Sequence, residues 1–66
     1  MKAQEIKPGK CYRVTDIYQG KVLVVRVIDR SESVEDHWAC LRDDGSRVLL
    51  PTASFIRSEQ DYVDLD

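Results

Sequence analysis

Lys21-Val22-Leu23-Val24-Val25-Arg26-Val27-Ile28-Asp29 is the stretch on which the reading of this chain turns. Six of its nine residues are Val, Leu or Ile, and no helical period separates them. β-Branched side chains are stiff at χ1 and pack well on a pleated surface, so the run predicts a long strand. Successive side chains of a strand point to opposite faces. Here both parities are apolar, which predicts that both faces are covered along much of the length. A small barrel, a curled sheet or a second chain would do that; one open flat sheet would not.

Reading outward, Gln19-Gly20 marks a turn on the N-terminal side. Before it, Cys11-Tyr12-Arg13-Val14-Thr15 alternates as a half-buried strand does, and Pro8-Gly9 closes a polar lead-in over residues 1–8. On the C-terminal side, residues 30–36 are polar and read as a loop, and His37-Trp38-Ala39-Cys40-Leu41-Arg42 is the next strand. Asp43-Asp44-Gly45-Ser46 carries the Asp-Gly pair that supplies the positive backbone angles of a tight hairpin. Arg47-Val48-Leu49-Leu50 returns from it and Pro51 ends it. Thr52-Ala53-Ser54 is long enough for one helical turn, and Phe55-Ile56-Arg57 forms a closing strand. Residues 58–66 form an acidic tail in which Tyr62, Val63 and Leu65 are the apolar groups able to dock.

The whole chain has 66 residues, with 10 Lys+Arg against 12 Asp+Glu. That length allows one small domain burying about 60% of its unfolded surface, and no separate cofactor domain. No run of apolar residues is long enough for a membrane-spanning helix, and Met1 to Pro8 lacks the apolar stretch of a secretory leader, so the expected location is cytoplasmic. In that compartment Cys11 and Cys40 are expected as small buried hydrophobes, although one disulfide is open to them. Residues 1–30 carry a balance of +4 and residues 31–66 one of −6. This asymmetry fits cross-strand pairing with a solvated acidic tail; it also fits a basic face fed by Lys2, Lys7, Lys10, Arg13, Lys21, Arg26 and Arg30.

Five strands, a loop, an Asp-Gly hairpin and a helical turn before the last strand resemble the SH3-like small β-barrels, the group that holds the Tudor and KOW modules. Most of the likeness lies in Gly45-Ser46-Arg47-Val48-Leu49-Leu50-Pro51-Thr52-Ala53-Ser54-Phe55-Ile56-Arg57. The same stretch is similar to the Gly-Ser-strand-Pro-x-Ala-x-apolar ending of the plasmid-borne, trimethoprim-insensitive dihydrofolate reductases, SH3-like barrels that act as tetramers. The resemblance covers residues 8–57 and implies an all-β, five-stranded barrel over 9–57. It also implies a place for the reductase signature Val-Gln-Ile-Tyr, which lines a pore that binds folate and nicotinamide. Here Val48 stands where the amide would be and Leu50 where the phenol would be. Neither can hydrogen-bond a pterin or a carboxamide, so the fold is expected without the site and without a cofactor.

No other catalytic set is legible. His37 is the single histidine, its neighbour Asp36 would point to the opposite face of a strand, and no Cys-x-x-Cys pair, nucleophile elbow or glycine-rich phosphate loop exists. A non-enzymatic protein without a metal is therefore expected. The large rings and the surplus aliphatic residues point to interaction instead. Tyr12, Tyr18, Lys21, Arg26, Trp38 and Arg47 are the candidate contacts for a protein partner. Val22, Val24 and Leu49 are the candidates for self-association, because one interior accepts only one parity of each strand. Lys10, Tyr12, Arg13 and Lys21 form the alternative, a basic and aromatic face for nucleic acid, against which a pI of about 5.3 argues.

Overall fold

The computed structural model describes residues 1–59. The chain is nearly all β: β1 (Cys11–Asp16), β2 (Lys21–Arg30), β3 (His37–Leu41), β4 (Arg47–Pro51) and β5 (Phe55–Ser58), with single 3-10 turns at Ala3–Glu5 and Thr52–Ser54. All five strands run antiparallel in one sheet of order β4-β3-β2-β1-β5. The strands and the turn before the last one fall where the apolar runs and turn residues place them. The expected docking residues of the acidic tail, Tyr62, Val63 and Leu65, lie outside the described residues.

The connection between β4 and β5 shapes the sheet. These are its two edges, separated by four inter-strand spacings, or roughly 19 Å if the sheet were flat. Pro51 to Phe55 is four residue steps, which reach at most about 14 Å extended and less through a 3-10 turn. The sheet must therefore curl. Among the described residues no ladder joins β4 to β5, so the curled sheet they form is not closed into a hydrogen-bonded barrel.

Alternation then sorts the side chains. Val25 and Val27 of β2 face inward and are fully buried, with Tyr12 and Val14 of β1, Trp38 and Cys40 of β3, Leu50 of β4 and Phe55 of β5. Val22 and Val24 take the opposite parity and lie on the outer face. The polar lead-in contributes too. Ile6 is buried in the core, and Met1 and Ala3 pack against it. Tyr12 holds this segment: its hydroxyl accepts the Lys7 N–H at 2.8 Å and donates to the Glu5 carbonyl at 3.3 Å, while its ring meets Phe55 edge-on at 5.6 Å.

A second polar cluster anchors the turn between β4 and β5. The Trp38 indole N–H donates to Thr52 Oγ1 at 2.9 Å, and that hydroxyl donates to Asp36 Oδ1 at 2.7 Å. The Thr52 N–H also donates to the Asp36 carbonyl at 3.0 Å. Asp36 supplies both acceptors from a left-handed backbone conformation, φ 60°, that aspartate tolerates better than most residues. Thr52→Val keeps the shape but leaves a buried indole N–H without its acceptor. It is expected to cost about 1–3 kcal/mol, read as a lower midpoint in thermal or urea unfolding, with Thr52→Ser close to the parent.

Candidate functional site

The β1–β2 hairpin turn, Ile17-Tyr18-Gln19-Gly20, is built on one carboxylate. Asp16 ends β1 fully buried, opposite Lys21. Its Oδ1 accepts the N–H groups of Tyr18 at 2.9 Å and Gln19 at 3.2 Å, and its backbone carbonyl accepts the Gly20 N–H at 2.7 Å. Gly20 closes the turn at φ 69°, where a side chain would be strained. Because Asp16 takes up the turn's polar groups from inside, its two bulky apolar side chains face water.

The other carboxylate oxygen of Asp16 reaches the second hairpin. Arg42 Nε donates to Asp16 Oδ2 at 2.8 Å, and Arg42 Nη1 donates to Ser46 Oγ at 3.0 Å. Ser46 in turn donates its hydroxyl to Asp44 Oδ1 at 2.6 Å and its N–H to the same oxygen at 2.9 Å. Burial pushes the Asp16 carboxyl upward, but the Arg42 hydrogen bond, the Tyr18 and Gln19 N–H groups and the Arg42 charge together hold it below the usual carboxylate range. Hydrogen bonds from Ser46 likewise lower Asp44. The two hairpin tips are thus locked to each other, and the outward side chains of the first are presented on a fixed frame.

Ile17, Tyr18 and Val22 are 56%, 64% and 52% exposed. Val22 lies on the outer face with half-buried Val24, and Ile17 and Tyr18 stand in the adjoining turn. This is the largest gathering of exposed apolar side chains on one element among the described residues; Ile28, Val34 and Ile56 are exposed elsewhere. Strand parity does not pick out Ile17, although two bulky apolar residues beside Gln19-Gly20, where turn residues are usually polar, are a signal for it. Ile28 escapes the alternation argument because the β2–β3 register shifts between Val27 and Asp29.

The other sequence candidates scatter. Tyr12 and Trp38, at 2% and 4% exposure, belong to the core and are not contact residues. The expectation fails because their polar atoms are satisfied inside, Tyr12 by the lead-in and Trp38 by Thr52, and because Arg30 lies over the indole at 5.1 Å. Lys21 is exposed where the hairpin turn enters β2. Arg26 and Arg47 flank Leu41 in one cross-strand row. Leu49 lies two residues further along β4, two strands across and several residue steps along from Val24, and so more than about 10 Å away. The single patch expected across β2 and β4 is therefore two separate places with arginines between them.

The nucleic-acid set is likewise not assembled. Lys10 precedes β1 and Lys21 opens β2, at opposite ends of the β1–β2 ladder and about 20 Å apart along it. Tyr12 is buried, and Arg13 is engaged by Glu59 at 2.9 Å. His37 donates its Nδ1–H to the Glu35 carbonyl at 2.8 Å. Cys11 and Cys40 are free thiols, both buried, and burial pushes Cys40 up to about 12. Among the described residues no His, Cys, Asp and Glu groups gather as metal ligands, and no helix is long and apolar enough to cross a membrane.

The Asp16–Arg42 pair sets a pH dependence. A carboxyl whose folded pKa lies below its unfolded value of about 3.9 stabilises the fold above that value and loses the contribution as pH falls through the folded one. Asp16→Asn leaves Arg42 without its partner and is expected to lower Tm by on the order of 10 °C at neutral pH. The gap should begin to narrow as pH falls below the unfolded value of about 4 and close only once Asp16 of the folded parent is itself protonated, the variant side chain being neutral throughout; Tm measured across pH checks it.

Comparison with protein-family models, with curated proteins and with solved structures finds no match to this chain.

Proposed function

We propose that the chain is a non-catalytic interaction module that self-associates, and binds protein surfaces, through the outer face of the β1–β2 hairpin. One observation carries this reading: three large apolar side chains, Ile17, Tyr18 and Val22, stand more than half exposed on a single rigid hairpin. Leaving such groups in water forfeits the burial energy that a second surface would return, and contiguous apolar patches on small proteins mark contact sites. Tyrosine suits the role, offering a large ring with a polar end at low entropic cost. A 66-residue chain with a thin core also gains more from association than a large domain does. Lys21 borders the face and gives it a charged rim.

The nucleic-acid alternative has less support, since its candidate residues are buried, paired or far apart. Salt separates the two, because phosphate-driven affinity falls steeply with ionic strength and apolar association does not.

Sedimentation equilibrium of the parent chain is expected to show a mass that rises with concentration and changes little between about 0.1 M and about 0.5 M salt. The double variant Ile17→Ser, Tyr18→Ser should weaken that association by about tenfold or more, on the scale of one lost apolar anchor. A monomeric mass up to about 1 mM, the weak end of measurable affinity, would overturn the self-association reading.

A further inference from the structure

The two halves of β2 have different neighbours. Its ladder with β1 runs without interruption from Asp16↔Lys21 to Cys11↔Arg26, whereas its ladder with β3 begins only at Arg26↔Leu41. Over Lys21–Val25, therefore, β2 has a strand on one side alone among the described residues. The direction of its backbone groups follows from one bond. The Val27 N–H donates to the Lys10 carbonyl at 2.9 Å, on the β1 side. Backbone N–H and C=O groups alternate sides along a strand, so Val27, Val25, Leu23 and Lys21 turn theirs toward β1. Val22 and Val24 turn theirs toward the open side.

Natural proteins protect such an edge with proline, inward charges, bulges or very short strands. The other two edges here show these devices: β4 ends in Pro51 and carries Arg47, and β5 is four residues long and carries Arg57. Lys21-Val22-Leu23-Val24-Val25 has no proline, no glycine and no bulge in its β1 ladder, and its one charge is at the end. It is an edge of high β-propensity with no ladder on its β3 side, the Arg42–Ser46 turn leaving β3 near its Val25 end.

We propose that two copies of this chain join edge to edge through Lys21–Val25 of β2, antiparallel about a two-fold axis at Leu23, making one continuous sheet across the pair. This rests on the self-association reading above and places a contact at the strand edge that borders the apolar face, not on the face itself. Parity and the bonds already made narrow the register: one centred on Val22 would need the Gly20 N–H, which the Asp16 carbonyl already takes. Centred on Leu23, Val22 of one copy faces Val24 of the other and Val24 faces Val22, so the residues whose backbone groups point outward exchange both hydrogen bonds at each pair. A slip of one residue sets outward-pointing groups against inward-pointing ones and forms none. A register centred on Val24 would need the Arg26 backbone, which the β3 ladder already uses. The Leu23 register also places Lys21 opposite Val25, with no like charges facing, and brings Val22 and Val24 of both copies together as four valines on the outer face, flanked by Ile17. The isologous contact closes on itself and consumes the open edge, so it yields a dimer and not a fibre. Five residues a side is a small interface, and a dissociation constant on the order of 10 μM is expected.

Amide hydrogen exchange on the unmodified chain tests this as concentration is raised through that range. The Val22 and Val24 amides should slow by about tenfold or more as dimer forms, while Leu23 and Val25, bonded to β1, stay as they were. In a mixture of labelled and unlabelled chains, the Leu23 Hα atoms of the two copies should show a direct dipolar contact, as a facing non-hydrogen-bonded pair requires. Val24→Pro removes an N–H that the β1 ladder does not use; its far-UV circular dichroism should be retained and its dimer lost. If that variant does not fold, the exchange pattern of the unmodified chain decides. A mass that rises with concentration while Val22 and Val24 exchange unchanged would overturn the edge pairing and leave self-association standing. A monomer throughout would overturn both.

Discussion

A ten-residue strand divided between two neighbours organises this molecule. β2 pairs with β1 along its first half and with β3 along its second, and the register shift between Val27 and Asp29 lets it bend from one partner to the other. Its inward parity, Val25 and Val27, gives the core its centre; its outward parity gives the surface its apolar character. The same alternation that stabilises the interior leaves Val22 exposed, because a strand cannot turn both sets of side chains to one side. The interaction face follows directly from the strand that holds the fold together.

Local signals account for much of what is legible in the sequence. The valine run, the Asp44-Gly45 turn and the stop at Pro51 each act over a few residues, and each sits where its chemistry puts it. What is not legible depends on contacts distant in sequence. Tyr12 looks like a surface ring until the Lys7 N–H and the Glu5 carbonyl are found on its hydroxyl, and that needs the first residues folded back over the core. Trp38 is withdrawn by Thr52, 14 positions away, and no pattern along the chain announces the pairing. The candidate face is half visible: composition and parity point to Tyr18, Val22 and Val24, whereas Ile17 requires knowing that Asp16 turns inward and forces its neighbour out. The apolar run anticipates the curl of the sheet, but not whether its edges pair.

Charge behaves in the same way. The basic first half and acidic second half suggest a cationic face, yet folding brings the halves together. Arg13 meets Glu59, and Asp16 meets Arg42 across the two hairpins. Antiparallel strands interleave residues that composition keeps apart, so an asymmetry along the chain need not become one in space. The Asp16–Arg42 pair matters for position as well as charge, since each oxygen of the carboxylate fixes a different turn.

The two thiols carry a practical consequence. Cys11 and Cys40 are buried and unbridged, and Cys40, pushed up to about 12, is almost entirely protonated at neutral pH. Only the thiolate attacks an alkylating reagent. Labelling of Cys40 must therefore wait for the sheet to open, and its rate becomes a clock for that opening. A maleimide or iodoacetamide chase under native conditions would report how often β3 separates from its neighbours, without any dye or tag added to the chain.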